Sequence, residues 1–163
     1  MEGNVNGQAI LAQPRASRNG QRNSSILVVD DEMAIRDLLV RLLESDGHRV
    51  RAVGSAREAH AALQQSSVSL LITDVKLPDQ DGIALLQQAV ELDHRLMGLV
   101  MTGYGTVDLA VQAMKAGAAE FLMKPFEVKA LQSTVDRLLD LYYLRSENTV
   151  LKQAVIRASG VRC

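Results

Sequence analysis

Five short apolar runs recur along the chain, and each is followed by a segment whose apolar residues fall three and four apart. Ile26-Leu27-Val28-Val29, Leu70-Leu71-Ile72 and the stretch Leu96 to Met101 are nearly continuous. Runs of this length bounded by turn signals predict strands buried on both faces. His48 to Val53 alternates polar and apolar positions, which predicts a shorter, less buried strand, and Glu120 to Met123 predicts a fifth. Between these, Ala34, Ile35, Leu38, Leu39, Leu42 and Leu43 keep helical spacing. Ala59, Ala62 and Leu63 do the same after Ser55, and Glu58 three residues beyond that serine makes a capping box. Further helices are predicted from about Ile83 to Leu92 and from Val107 to Ala116, with another starting near Glu127. Gly47 and Gly117 stand where helices stop.

Strict alternation of strand and helix predicts an α/β fold, a parallel sheet wound with helices on both faces. For five strands the common solution is the flavodoxin-like (βα)5 order 2-1-3-4-5. That order sets strands one, three, four and five side by side, and their C-terminal ends carry Asp30-Asp31, Asp74, Thr102 and Lys124. In an open sheet of this kind, ligands bind outside the carboxyl ends of the strands.

Composition narrows the picture. A chain of 163 residues is long enough for one domain with a core, and a formal net charge of −1 gives no general attraction to nucleic acid or anionic membrane. No apolar stretch approaches the roughly 18 residues of a membrane span, and Met1 to Asn23 lacks the pattern of a secretory signal. The one cysteine, Cys163, excludes an intrachain disulfide and a cysteine metal cluster. A cytoplasmic location is expected. Residues 1–25, rich in Gly, Asn, Gln, Ser and Arg, read as a disordered tail whose Arg15, Arg18 and Arg22 are too scattered for a binding arm. Residues 26–140 form the expected domain, and 141–163 a linker helix.

Three carboxylates in one crevice repel each other, and loss of solvent sharpens the repulsion. A hard divalent cation relieves it, and Mg2+ suits oxygen ligands and phosphate. A lysine opposite adds fixed positive charge, and a threonine hydroxyl can donate to an oxyanion. Together these groups describe a site for a transferring phosphoryl group. No Ser, Cys or His stands at the strand ends, so a carboxylate must be the nucleophile. Asp74 is the candidate because it stands alone on the central strand, whereas the adjacent Asp30 and Asp31 suit metal holding. Asp79 and Asp81 read as loop or cap residues, and His48, His60 and His94 as exposed or structural.

Val29-Asp30-Asp31-Glu32, Asp74-Val75-Lys76-Leu77-Pro78-Asp79-Gln80-Asp81-Gly82, Met101-Thr102-Gly103-Tyr104-Gly105 and Phe121-Leu122-Met123-Lys124-Pro125-Phe126 follow one another in order. Over about residues 25 to 140 they resemble the receiver domain of two-component response regulators. The resemblance implies that Asp74 accepts a phosphoryl group from a sensor histidine kinase. It implies Mg2+ ligation by Asp31, Asp74 and the Lys76 backbone carbonyl, with Asp30 acting through water. It also implies that Thr102 and Lys124 engage the phosphoryl oxygens and that the bond before Pro125 is cis. Phe121 stands at the position of a switching aromatic, and the readout face would be helix four, strand five and helix five. Lys76 and Tyr104 border the access route.

Beyond the predicted domain, Leu141, Leu144, Asn148, Leu151 and Val155 recur at spacings of three and four, a short heptad seam. Asn at a core position favours a parallel pair in register, so a homodimer is expected, with Tyr142 and Tyr143 in helix packing or at the dimer rim. The extended helix and Met101-Thr102-Gly103-Tyr104-Gly105-Thr106 resemble the nitrogen-regulator type of sigma-54-dependent activator. Such proteins continue into an ATPase domain and a DNA-binding domain. Neither a GxxxxGK loop nor a helix-turn-helix is found here, so no direct nucleic-acid binding is expected of this chain. Two other readings compete. A magnesium phosphohydrolase of the dehalogenase type needs a second Asp two residues after its nucleophile, where this chain has Lys76. A pseudo-receiver used only for docking would not need the intact Asp30, Asp31, Asp74, Thr102 and Lys124.

Overall fold

The computed structural model describes residues 24–158, with side chains through residue 147. The described chain alternates β1 (Ser25–Val29), α1 (Met33–Ser45), β2 (Arg49–Val53), α2 (Ala56–Gln65), β3 (Leu70–Asp74), α3 (Gly82–Leu92), β4 (Met97–Thr102), α4 (Val107–Lys115), β5 (Glu120–Met123) and α5 (Val128–Ala158). All strand pairings are parallel, in the order β2-β1-β3-β4-β5. This is the expected doubly wound arrangement.

Period-two alternation divides each central strand between two cores. Ile26, Val28, Leu70, Ile72, Leu99 and Met101 face α1 and α5, where they meet Leu39, Leu43, Leu131, Val135, Leu138 and Leu139. Leu27, Val29, Leu71 and Val100 face α2, α3 and α4, where they meet Ala59, Ala62, Leu85, Leu86 and Ala113. Both faces of β1 and β3 are therefore buried, which is why their sequences read as continuous apolar runs. β2 lies at the sheet edge, and only Val53 of its five residues is buried.

Local signals set the ends of the helices. Ser55 Oγ accepts from Glu58 N at 3.2 Å, while the Glu58 carboxylate reaches the Ser55 hydroxyl. Thr106 caps α4 through Leu109 N, and Asp81 caps α3 through Ile83 N. Gly47 and Gly117 take positive φ, 94° and 110°, just past α1 and α4, where a side chain would strain the backbone.

Several boundaries differ from the sequence reading. β1 begins at Ser25, inside the segment assigned to the tail, and Ser24 is buried with its hydroxyl 2.9 Å from His48 Nδ1. The rest of that tail lies outside the described residues, as does Cys163. His48 precedes β2 rather than opening it. Leu38 has the right spacing for the α1 core face yet remains 42% exposed, because Leu39 and Leu43 fill that position.

α5 runs for 31 residues and crosses the expected 140/141 boundary without a break. Tyr142 is buried against the core, ring to edge with Tyr143, and the Arg95 guanidinium lies 5.9 Å from its ring. Leu141 and Leu144 are 39% and 53% exposed. Asn148, Leu151 and Val155 lie on the same helix, but their side chains fall outside the described ones. No helix among the described residues is long and apolar enough to cross a membrane.

Candidate functional site

Adjacent strands deliver the acidic groups to one edge. Asp30 follows β1 and stays in the ladder, its N–H donating to Val53 O at 3.1 Å. Asp74 is the last residue of β3 and pairs in register with Met101 of β4. Asp30 and Asp74 are buried, whereas Asp31 and Glu32 are exposed on the turn into α1. One carboxylate oxygen from each of Asp30, Asp31, Glu32 and Asp74 lies within 4.8 Å of all the others. Four anionic groups packed this closely call for positive charge.

Lys124 supplies it. The residue follows β5, and its N–H donates to Thr102 O at 2.9 Å, which fixes where the side chain starts. Its Nζ donates to Asp30 Oδ2 at 2.6 Å and to Asp74 Oδ2 at 2.9 Å, and lies 3.5 Å from Glu32 Oε1. Burial alone would lower the Lys124 pKa, but the hydrogen bonds to Asp30 and then Asp74 outweigh it and raise the value to about 12. Asp30 shifts against its own ion pair. Burial raises its pKa more than Lys124 and the Glu32 N–H lower it, and the charge of Asp74 adds to the rise. The 2.6 Å contact marks an ionised pair, and the raised Asp30 value reflects the cost of keeping that carboxylate out of water. The Lys124-Pro125 peptide bond is cis.

Thr102 closes β4 with its side chain buried, and its Oγ1 accepts from Tyr104 N at 3.2 Å. Phe121, half-buried on β5, packs on the α2–α4 side of the sheet. A Cβ added at Gly105 would fall 3.1 Å from the Phe121 ring and 1.9 Å from Met123 Sδ, so the loop after Thr102 lies directly on β5.

The loop after Asp74 is tightly tied. Gly82 N donates to Val75 O at 2.7 Å, and Lys76 and Asp81 form an isolated antiparallel bridge. A Cβ on Gly82 would lie 1.7 Å from the Asp74 carbonyl oxygen, a contact only glycine avoids. Lys76 N is 3.4 Å from Asp74 Oδ1, and Lys76 Nζ sits 4.5 Å above the Tyr104 ring. At the loop's tip, the Asp79 carboxylate accepts from Ala56 N and Arg57 N, each at 2.9 Å. Asp79 thus caps α2 rather than its own helix.

The structure brings Asp30, Asp31, Asp74 and Lys124 together, with Lys76 and Thr102 on the adjoining loop and strand end. His48 and His60 bond to Ser24 and Gln80, and His94 is exposed. Sequence reasoning missed three participants. Glu32 joins the carboxylate cluster, and its only signal was its place in the Asp30-Asp31-Glu32 run. Arg36 Nη1 donates to Asp30 O at 2.6 Å and braces the turn, with nothing in the pattern to announce it. The third is α2 as the partner of Asp79, a residue read as loop or cap without the helix it caps. The donor set is all carboxylate oxygen, which fits Mg2+ better than a softer metal.

Residues 26–136 match the family model for the response regulator receiver domain. The chain is 36% identical over 132 residues to the C4-dicarboxylate transport transcriptional regulatory protein DctD of Pseudomonas aeruginosa, covering 81% of this chain and 29% of that protein. It is 43% identical over 114 residues to the response regulator protein FleR of the same organism, covering 70% and 24%. The chain thus spans less than a third of the length of these relatives. Among solved structures, the beryllofluoride-activated NtrC4 receiver domain dimer aligns with a TM-score of 0.70 at 36% identity, covering 72% of this chain and 98% of that one. A CheY-like receiver from Methanospirillum hungatei aligns with a TM-score of 0.73 at 32% identity, covering 76% and 98%. The fold, the order of its strands and these alignments agree, and the chain belongs to the response regulator receiver domain family.

Proposed function

We propose that Asp74 is the phosphoacceptor of this chain and takes its phosphoryl group from a phosphohistidine on a sensor histidine kinase. A carboxylate oxygen of Asp74 attacks phosphorus. The new O–P bond forms as the P–N bond breaks, and the electron pair leaves on the imidazole. The observation that carries this reading is the Lys124 ammonium, bonded to both Asp30 and Asp74 inside a cluster of four carboxylates. An ammonium already bonded to the acceptor carboxylate stands where charge builds on a transferring phosphoryl group. Thr102, at the next strand end, is the hydroxyl donor to a phosphoryl oxygen. Asp31, Asp74 and the Lys76 carbonyl would hold Mg2+, with Asp30 assisting through water. The ion would supply charge neutralisation at the phosphoryl oxygens.

Phosphorylation adds a charge of about −1.5 to −2 and three acceptor oxygens at Asp74. The contact of Gly105 with Phe121 and Met123 supports a route from Thr102 to β5, and from there to a readout face formed by α4, β5 and α5. Similarity to transcriptional regulators supports a transcriptional output, made by ATPase and DNA-binding domains elsewhere in such proteins. Similarity to the NtrC4 receiver dimer, together with exposed Leu141 and Leu144, supports a homodimer through the Leu141, Leu144, Asn148, Leu151 and Val155 seam.

The test is incubation with acetyl phosphate and Mg2+, read by intact mass. The parent should gain one phosphoryl group, and Asp74→Asn should gain none. A parent that stays unmodified, or an Asp74→Asn protein labelled as readily as the parent, rules the assignment out. Turnover of a phosphate ester without a lasting phosphoprotein points instead to a phosphohydrolase.

A further inference from the structure

We propose that Asp79 is a positioning residue for the Asp74 site, clamping the tip of the β3–α3 loop to the N-terminus of α2. This rests on the reading of Asp74 and its loop as the Mg2+ and phosphoryl site. Residues 76–81 leave the strand end, turn and re-enter α3. At its base the segment is closed by Gly82 N on Val75 O and by the Lys76–Asp81 bridge. At its tip it is held from outside. Asp79 takes the Ala56 and Arg57 amides, one on each carboxylate oxygen, and Gln80 Oε1 lies 3.2 Å from His60 Nε2 of α2. These contacts link positions 20 or more apart in sequence, so they fix the loop relative to the rest of the fold.

The choice of partner is informative. α2 already has its own cap, since Ser55 Oγ accepts from Glu58 N. Asp79 instead takes the first two amides of α2, where donors are unsatisfied and the helix dipole favours an anion. Its pKa is lowered chiefly by the Arg57 and Ala56 amides, so the clamp is an ionised one. α2 packs through Ala56, Ala59 and Ala62 into the core, which gives the loop a rigid anchor. What the clamp holds in place is the segment bearing the Lys76 carbonyl and the Lys76 ammonium over Tyr104. A carbonyl that ligates a small octahedral cation tolerates little displacement.

Three single variants of the full chain separate positioning from plain stability. Asp79→Ala removes both acceptors, Asp79→Asn keeps one, and Ser55→Ala removes the neighbouring cap without touching the loop. Mg2+ binding is measured by calorimetry, and phosphorylation by acetyl phosphate as above. Supports that orient metal ligands are typically worth 10–100-fold in affinity; one step further out, about three- to tenfold weaker Mg2+ binding is expected for Asp79→Ala. Asp79→Asn should fall between Asp79→Ala and the parent, and Ser55→Ala should bind as the parent does. If Asp79→Ala does not fold, Asp79→Asn decides by the same criterion. Mg2+ binding unchanged in the Asp79 variants, or weakened equally in Ser55→Ala, overturns the positioning role. A parent that binds no Mg2+ and takes no phosphoryl group overturns the site assignment itself, a result distinguishable from the other two.

Discussion

Gly82 shows how little freedom surrounds the acceptor. Its Cα faces the Asp74 carbonyl so closely that an added methyl would overlap it at 1.7 Å, and the obstacle is backbone rather than a flexible side chain. Gly82→Ala should therefore destabilise the protein by about 1–3 kcal/mol, and the strain falls on the peptide that carries Asp74. Urea unfolding of parent and variant measures this, and equal midpoints would show that the loop yields. Lys124 is constrained in another way. With Asp30 and Asp74 both on its ammonium, it balances two buried charges that nothing else among the described residues is seen to pair.

At the scale of elements, the N-terminus of α2 carries a pH signature. The Asp79 pKa is lowered in the folded chain by two backbone amides. Its stabilising contribution is therefore present above the ordinary carboxylate value of 3.8 and disappears as pH falls through the lower folded value. Asp79→Asn should be less stable than the parent near neutral pH, and the difference should shrink as pH falls below 3.8. Urea midpoints at neutral pH and through the acid range below 3.8 check this, and a constant difference would refute it. The same element marks a limit of reading from sequence. Ser55 and Glu58 announced their cap because they lie three residues apart, whereas Asp79 reaches α2 across 22 and 23 residues and leaves no local pattern. β1 and β3 were legible because both their faces are buried. The start of β2 was not, because His48 is buried for its bond to Ser24 and mimics a strand residue in an alternating run.

For the whole molecule, the order of strands alone was enough to place Asp30, Asp31, Asp74, Thr102 and Lys124 along one edge, since each ends or follows a strand. Glu32 and Arg36 were not legible because they act from a turn and a helix, where no register fixes them. The association of two chains is argued at this scale as well. Leu144 is more than half exposed, so Leu144→Glu should leave the fold intact while disrupting a helix pair. Sedimentation should show a dimer for the parent and a monomer for the variant; a monomeric parent, or a dimeric variant, refutes the seam. One further consequence lies in the length of α5. Among the described side chains its core contacts run from Leu131 to Tyr143, and the helix continues to Ala158. At 1.5 Å per residue, the about 15 residues after Tyr143 span roughly 22 Å of helix. A helix of that length is a lever: by that geometry, a tilt of about 5° at the base sweeps the far end through about 2 Å. A repacking of β5 too small to alter the outline of the domain would thus become a displacement large enough to change how two such helices meet.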